Sequence, residues 1–271
     1  MSPSLNFIPR LKNKNSKNPI APKVIKSIGL GNNGKIELLE GLDEKQKKVV
    51  MKTAFNKGEL KIETEAMEEL QTFRKELKKV REESHTPQSE LLLLGSSHIA
   101  KFCATNEKDS VNLRYIEGST LNTLFKESQT KPNMEDIYSI LVQVTAGLKF
   151  INEKMEHNDI SSRNIMVDTK GKVKIIDFGR ATKDPQKKGE DFYCLTKYVT
   201  TLMGENYNKS QDAQYPNLTK FFEKVNRRNY SSPDEFFEKL KSPELKEELK
   251  DMMKNNQNPY FQRILKNVLK E

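Results

Sequence analysis

The stretch from His157 to Gly179 places the strongest limit on the folds that this chain can adopt. It contains two short β-like runs, Ile165–Val167 and Val173–Ile176, joined by residues typical of a tight turn. Polar segments flank this pair: His-Asn-Asp-Ile-Ser-Ser-Arg-Asn precedes it and Asp-Phe-Gly follows it. Short strands therefore separate three polar residues, which are Asp159, Asn164 and Asp177.

These three polar residues are suited to phosphate chemistry with a metal ion. Amide and carboxylate oxygens are hard ligands, so Asn164 and Asp177 fit a Mg²⁺ ion that also bridges the phosphates of a substrate. Asp159 would then accept the proton of an attacking hydroxyl group. Arg163 either neutralises charge on the phosphoryl group during transfer or braces the loop, and the sequence leaves both roles open.

A glycine-rich segment lies near the N-terminus, between two further β-like runs. Gly29, Gly31 and Gly34 form the pattern G-x-G-x-x-G. In a hairpin such residues let backbone amides approach phosphates, although a plain turn rich in Gly and Asn gives the same pattern. No helix follows directly, so the pattern disfavours a dinucleotide-binding Rossmann fold.

The next β-like run, Val49–Lys52, ends in a lysine that can bind phosphate oxygens. A carboxylate from the following helix would hold this lysine in place. We expect Glu69 in that role because it borders the apolar stripe of the helix, with Glu65 and Glu63 as the alternates.

The order of strands and helices predicts an α+β protein with two lobes. We expect a disordered basic arm over residues 1–26, a small β-rich N-lobe over 27–117 and a shortened helical C-lobe over 118–271. The predicted N-lobe strands span residues 25–30, 35–40, 47–53, 98–104 and 110–116, and its helix spans 62–83. The later helices are predicted at residues 119–127, 134–155, 190–203, 217–228, 233–255 and 259–270.

Composition argues against several classes of protein. The longest apolar run in the 271 residues, Leu91–Leu94, is far shorter than the roughly 20 residues that cross a bilayer. The two cysteines, Cys103 and Cys194, argue against a disulfide framework and favour a reducing compartment. Of the net charge of +9, residues 1–26 carry six basic and no acidic side chains, which leaves 41 basic and 38 acidic residues elsewhere. This balance argues against nucleic-acid binding by the folded part.

Residues 25–204 together resemble the protein-kinase superfamily. The resemblance implies a bilobal fold with ATP and Mg²⁺ as cofactors, and it places the three glycines over the phosphates of ATP. It implies that Lys52 holds the α- and β-phosphates and is paired with Glu69. A hinge would follow, with Leu113 near the gatekeeper position and Tyr115 among the residues that bind adenine.

The same resemblance assigns the polar residues of the second half. Asp159 would be the catalytic base, and Asn164 and Asp177 would be the Mg²⁺ ligands. His157 would support the loop that carries Asp159.

The chain also departs from the family pattern. Asn158 stands where many regulated kinases have an arginine that receives a phosphate from the activation loop. No Ala-Pro-Glu motif follows Gly179, and the residues from Asp191 onward resemble the buried helix that normally lies well beyond the activation segment. We therefore expect a deleted activation segment, no control by loop phosphorylation, and no peptide-docking shelf of the usual kind.

Truncation of this kind is known in three groups that share the kinase fold: effector kinases of bacterial pathogens, small kinases of the Bud32 and Rio type, and aminoglycoside or choline phosphotransferases. The intact glycine segment, Lys52 and Asp-Phe-Gly favour a protein kinase over a small-molecule phosphotransferase. We expect a constitutively active monomer that phosphorylates protein hydroxyls, with Ser or Thr preferred to Tyr. The expected substrate is a host protein, with a host activator as a further partner. The arm lacks the pattern of a Sec signal, so we expect a cytoplasmic protein or one exported to a host cell by another route.

Overall fold

The computed structural model describes residues 23–31, 34–42, 48–106, 110–127, 132–206, 214–225 and 232–270. The contacts between residues divide the chain into two compact units. The first comprises residues up to 71, residues 100–116 and residues 178–180, and the second comprises residues 72–99, 117–177 and 181–271. Residues 72–99 therefore belong to the second unit, whereas the sequence assigns them to the N-lobe.

The first unit contains an antiparallel sheet of five strands in the order β1-β2-β3-β5-β4. The strands are β1 (Val24–Gly31), β2 (Gly34–Leu42), β3 (Lys48–Ala54), β4 (Phe102–Asn106) and β5 (Ser110–Arg114). This confirms the five strands predicted for this region. Because β1 begins at Val24, the last residues of the predicted arm are strand residues, while residues 1–22 of that arm lie outside the described part.

Helix α1 (Lys57–Glu83) follows β3 and begins five residues before the predicted start. The side chain of Asn56 accepts a hydrogen bond from the amide of Gly58 at 2.9 Å, which satisfies one of the donors left open at the helix start. The buried face of α1 includes Leu60, Met67 and Leu70. Two residues of the predicted stripe, Ile62 and Val80, are instead 38% and 44% exposed.

A second helix, α2 (Pro87–Ser96), was not predicted. Thr86 caps it with a side chain that accepts from the amide of Ser89, and Pro87 occupies the first turn, where no donor is needed. A side chain at Gly95 would place a Cβ 2.0 Å from the carbonyl oxygen of Ala146, so only glycine permits this close approach to a neighbouring helix.

The second unit is built around α4 (Met134–Asn152), whose residues are nearly all buried from Leu141 to Ile151. A small antiparallel sheet, β6 (Gly118–Thr120), β7 (Ile165–Asp168) and β8 (Val173–Ile175), lies against it. The other helices are α3 (Leu121–Glu127), α5 (Glu190–Asn206), α6 (Pro216–Val225), α7 (Pro233–Leu240), α8 (Pro243–Asn255) and α9 (Pro259–Val268).

One prediction for the second unit was wrong in detail. The single helix expected over residues 233–255 is divided into α7 and α8. Pro243 lacks an amide hydrogen and fits only the first turn of a helix, so it ends α7 and starts α8. None of the helices in the described ranges has the length and apolarity that crossing a bilayer requires.

Candidate active site

The β7–β8 hairpin brings the ends of two polar segments together in the second unit. Its turn is held by Asp168, whose side-chain oxygen accepts from the amides of Lys170 and Lys172 at 2.8 and 2.9 Å. At the open end, the amide of Ile176 donates to the carbonyl oxygen of Asn164 at 2.9 Å. Asp177 therefore directly follows Ile176, whose backbone is hydrogen-bonded to that of Asn164.

Asn164 and Asp159 are in direct contact. The Nδ2 group of Asn164 donates to the carboxylate Oδ2 of Asp159 at 2.9 Å and to its backbone oxygen at 2.8 Å. Asn164 is buried and Asp159 is half-buried. Because both bonds use the amide nitrogen, they fix the orientation of the Asp159 carboxylate and leave the amide oxygen of Asn164 for another ligand.

His157 joins the loop of residues 157–164 to the residue before Asp177. Its Nε2 lies 3.0 Å from the carbonyl oxygen of Ile176, a geometry that requires the ring to donate from Nε2. Burial lowers the pKa of His157, more than the nearby carboxylates Asp191, Asp159 and Asp177 raise it. The neutral ring is therefore a structural donor, as the sequence predicted for this residue.

Asp191 is a functional residue that sequence reasoning did not select. It lies in the first turn of α5 and is 1% exposed. Its Oδ2 accepts from the amide of His157 at 2.5 Å, and its Oδ1 accepts from the amide of Asn158 at 2.7 Å. The start of a helix also stabilises a negative charge. Asp191 therefore fixes the backbone immediately before Asp159.

Glu156 lies beside Asp191 and is itself buried. Its backbone pairs with that of Thr182 through two hydrogen bonds of 2.8 and 2.9 Å. Burial, and then the negative charge of Asp191, raise the pKa of Glu156 to about 7. A hydrogen bond to Asp191 also favours the protonated form of Glu156.

Two residues of the site have left-handed backbone conformations. Asn158 has a φ of 58° and Asp177 has a φ of 66°. This conformation costs most residues about 1–2 kcal/mol, whereas Asn and Asp tolerate it best among residues with a side chain. The residue type at position 158, which departs from the family pattern, therefore suits its backbone.

In the first unit, Lys52 is paired with a different carboxylate from the one expected. Its Nζ lies 2.7 Å from Oε2 of Glu63, and the two residues are 8% and 1% exposed. The choice of Glu69 was therefore wrong, and Glu63, one of the alternates, is the partner. Six residues further along α1, Glu69 is displaced by about 9 Å along the axis and about 120° around it, so both carboxylates cannot face one lysine.

The glycine segment forms the β1–β2 hairpin, in which Gly31 pairs with Gly34. A Cβ at Gly34 would lie 2.2 Å from the carbonyl oxygen of Thr53, so the fold itself requires glycine there. A Cβ at Gly29 would meet no atom within 4 Å. The fold therefore does not itself require glycine at position 29, and its role at a nucleotide stays a prediction.

The remaining predicted residues lie at strand ends and in turns. Leu113 pairs with Val50 in β3, and the amide of Tyr115 donates to the carbonyl oxygen of Lys48 at 2.9 Å. Since that amide is engaged within the sheet, adenine binding by Tyr115 stays a prediction that concerns its carbonyl and side chain. Arg163 is exposed, in a turn closed by a bond from the amide of Asn164 to Ser161, and both of its predicted roles stay open.

The connection from Gly179 to α5 is short, as predicted. Only residues 180–189 separate Gly179 from α5. They contain the antiparallel β-bridge of Thr182 to Glu156 and one 3-10 turn at Pro185–Lys187. The side chain of Asp184 caps that turn by accepting from the amide of Gln186 at 2.9 Å.

The oxygen donors near Asp159 fit a Mg²⁺ ion. The Asn164 amide is oriented by its two bonds to Asp159, which leaves Oδ1 as the donor atom, and the Asp177 carboxylate follows the residue bonded to Asn164. An amide and a carboxylate oxygen are ligands that Mg²⁺ accepts together with phosphates and water.

Comparison with known proteins identifies relatives of this chain. Residues 23–199 match the family model described as protein tyrosine and serine/threonine kinase. The spermatocyte protein spe-8 of Caenorhabditis briggsae is 28% identical over 129 residues, which cover 45% of this chain and 25% of that protein. The serine/threonine-protein kinase CLA4 of Eremothecium gossypii is 36% identical over 87 residues, or 30% of this chain and 11% of that protein. The serine/threonine-protein kinase CLA4 of Saccharomyces cerevisiae is 30% identical over 96 residues, which cover 33% of this chain and 11% of that protein. This chain thus spans at most a quarter of the length of these relatives.

Proposed function

Because this chain belongs to the protein kinase family, we propose that it transfers the γ-phosphate of ATP to a hydroxyl group of a protein. The observation that carries the proposal is the contact between Asp159 and Asn164, at the open end of the β7–β8 hairpin. A carboxylate that accepts a proton and an amide that orients it are the groups that this reaction needs in one place.

In this proposal Asp159 takes the proton of the substrate hydroxyl as the oxygen forms a bond to the γ-phosphorus. The bond from that phosphorus to the bridging oxygen breaks, and ADP leaves with both electrons of the bond. Asn164 holds the carboxylate in position, and Asp191 keeps the preceding backbone fixed. The carboxylate therefore needs little reorganisation when the hydroxyl arrives.

Lys52 would bind oxygens of the α- and β-phosphates, with Glu63 rather than Glu69 as its positioning partner. Gly29, Gly31 and Gly34 would leave the hairpin backbone close to those phosphates. Asn164 and Asp177 would hold Mg²⁺, which when bound reduces the negative charge of the phosphates.

For the substrate, we propose Ser or Thr side chains of proteins in preference to Tyr. Two relatives that are serine/threonine-protein kinases by name support this preference. The finer proposal is a constitutively active bacterial effector that acts on a host protein with the help of a host activator. Its support is the basic sequence of residues 1–26 and the ten-residue connection that follows Gly179.

The test is transfer of labelled phosphate from ATP in the presence of Mg²⁺, alone and with eukaryotic cell lysate. Asp159→Ala and Asp177→Ala should each reduce labelling of protein by at least about 100-fold. The exposed carboxylate of Asp251 supplies the control, because Asp251→Ala removes a charge on the distant surface of α8. Circular dichroism would establish that each variant is folded.

Labelling that requires lysate would support the host substrate or the activator. Equal labelling by wild type, Asp159→Ala and Asp177→Ala would overturn the proposed function. Consumption of ATP with a free aminoglycoside or choline, and no labelled protein, would replace it with the small-molecule reaction.

A further inference from the structure

A cavity of about 200 Å³ lies wholly within the second unit, away from Asp159. Its walls come from the second half of α1, from α2, from the β7–β8 turn and from α9. It is larger than the ~150 Å³ cavity that admits benzene in a well-studied protein, so it can hold a small ligand. We call it the basic cavity because of the charged side chains that line it, which are Arg74, Lys78, Arg81, Lys172, Arg263 and Glu90.

Five basic side chains and one acidic side chain line the basic cavity. Glu90 supplies the carboxylate, and it is already bonded: Arg263 donates to its Oε1 at 3.0 Å, and Arg81 lies 3.6 Å from its Oε2. Asp168 adds a second negative charge near Lys172, so five lining cations meet two carboxylates and positive charge remains in excess. This excess is what attracts an anion.

Lys172 shows that the cations of this cavity act on one another. Its ammonium group lies 4.6 Å from the centre of the Tyr260 ring and is therefore held in a defined position. Burial lowers the pKa of Lys172, and the positive charges of Arg74 and Arg263 lower it further, while Asp168 opposes them in part. A bound anion would relieve this repulsion.

The wall of the basic cavity also contains two packed rings. His98 and Tyr260 meet edge to face with centroids 6.3 Å apart. Nδ1 of His98 donates to the carbonyl oxygen of Val173 at 3.0 Å, and burial, followed by the charge of Lys172, lowers the pKa of His98 to about 3. The histidine is therefore neutral, and this part of the wall carries no charge.

We propose that the basic cavity binds a small polyanion that carries two or more phosphate groups. Guanidinium groups bind phosphate oxygens through two parallel hydrogen bonds, and lysine binds them as a point charge. Three arginines and two lysines around about 200 Å³ match adjoining phosphates better than one monoanion. The ligand is either a free phosphorylated compound or the phosphorylated headgroup of a lipid, since both present the same groups.

Binding of inorganic phosphate, pyrophosphate and tripolyphosphate to the full chain, measured by calorimetry at constant ionic strength, tests this proposal. Affinity should rise by about tenfold with each added phosphate, because each adds charge-assisted hydrogen bonds. Arg74→Gln/Lys78→Gln should lower the affinity for tripolyphosphate by at least about tenfold. Lys75→Gln/Lys79→Gln is the matched control, since it removes the same charge from exposed positions of the same helix that do not line the cavity.

Lys172→Gln should also weaken binding, which keeps the test valid if the first double variant fails to fold. Equal affinity in the wild type and the Arg74→Gln/Lys78→Gln variant would overturn the proposal, and so would equal losses in both double variants.

Vesicles distinguish the two sources of the ligand. Phosphatidylcholine vesicles with about 5 mol% phosphatidylinositol bisphosphate should sediment the protein if the ligand is a headgroup. Sedimentation that is lost in the Arg74→Gln/Lys78→Gln variant supports the lipid source, and tripolyphosphate binding without sedimentation supports the free compound. Binding of RNA alone, with none of the phosphates or vesicles, would overturn the proposal.

Discussion

Glu63 in the first unit and Asp191 in the second are both buried carboxylates that position a group of the proposed site, yet they bind different kinds of partner. Glu63 binds the side chain of Lys52, whereas Asp191 binds the main-chain amides of His157 and Asn158. A side-chain partner can be removed by substitution, but a main-chain amide cannot. Lys52 and Glu63 can therefore be replaced together. At Asp191 only the carboxylate can be replaced, and the two amides remain.

The largest effect is expected from Asp191→Ala, which leaves one buried and one half-buried amide donor without this acceptor. We expect a loss of about 5 kcal/mol in the free energy of unfolding, because each unsatisfied donor costs about 1–3 kcal/mol and the lost bonds were made to a charged group. Denaturation with urea measures it. Asp191→Asn keeps one oxygen acceptor and should lose about half as much. If Asp191→Ala were as stable as the wild type, the two amides would have other partners and the comparison would fail.

A smaller loss of stability is expected when the pair of Lys52 and Glu63 is broken. Part of that loss should be recovered when both residues are replaced together. Glu63→Gln leaves the buried Lys52 ammonium without its carboxylate and should cost about 3 kcal/mol. The double variant Lys52→Met/Glu63→Leu should be more stable than Glu63→Gln, because no charge is then left buried. Urea denaturation of both variants checks this.

Glu69→Gln is the matched control for the pair, since it removes a carboxylate from the same helix. It should change stability by less than about 1 kcal/mol and leave the KM for ATP unchanged, whereas Glu63→Gln should raise that KM. If Glu69→Gln raised the KM and Glu63→Gln did not, the choice of Glu63 would have to be withdrawn.

The pH dependence of stability tests the surroundings of Asp191, because Glu156 lies beside it. The pKa of Glu156 is raised from its ordinary value of 4.5 to about 7. A raised pKa in an acid means that the folded state binds the proton more tightly, so this stabilisation is complete below pH 4.5 and is lost as the pH rises through about 7. The melting temperature of the wild type relative to that of Glu156→Gln should therefore fall between pH 4.5 and pH 7. Identical pH profiles of the two proteins would show that the pKa of Glu156 is not raised in the folded state.

Two glycines of the β1–β2 hairpin should differ in what their substitution does to stability. Gly34→Ala would collide with the backbone of β3 and should cost about 1–3 kcal/mol. Gly29→Ala meets no atom and should leave the melting temperature nearly unchanged while it raises the KM for ATP. A Gly29→Ala variant with wild-type ATP kinetics would remove Gly29 from the proposed nucleotide site.

Local patterns in the sequence were sufficient for the strands and for the polar residues of the second unit. The β7–β8 hairpin follows from two short apolar runs and a turn, and it brings Asn164 next to Ile176 without any long-range information. The five strands of the first unit follow likewise, because each is bounded by turn residues, whereas their order in the sheet was not predicted. What could not be read was the exact start of α1, since Asn56 was not recognised as its cap.

The wrong carboxylate was chosen because Glu69 borders the apolar stripe next to Leu70. Glu63 lies four residues before Met67 and seven before Leu70, both buried, and is therefore within the stripe. A charged residue inside an apolar stripe is the signal that would have found it. The missed α2 offered a similar signal in Thr86-Pro87, a cap followed by proline, which four consecutive leucines obscured.

The ten residues between Gly179 and α5 contain one side-chain hydroxyl, that of Thr182. Its oxygen already accepts from the amide of Asp184 at 3.1 Å, and its backbone is paired with Glu156 in both directions. A phosphate on this hydroxyl would disturb the bond from the amide of Asp184, while the backbone pair with Glu156 does not involve the hydroxyl. Thr182 is therefore the one acceptor in this segment through which a covalent phosphate could change the proposed activity.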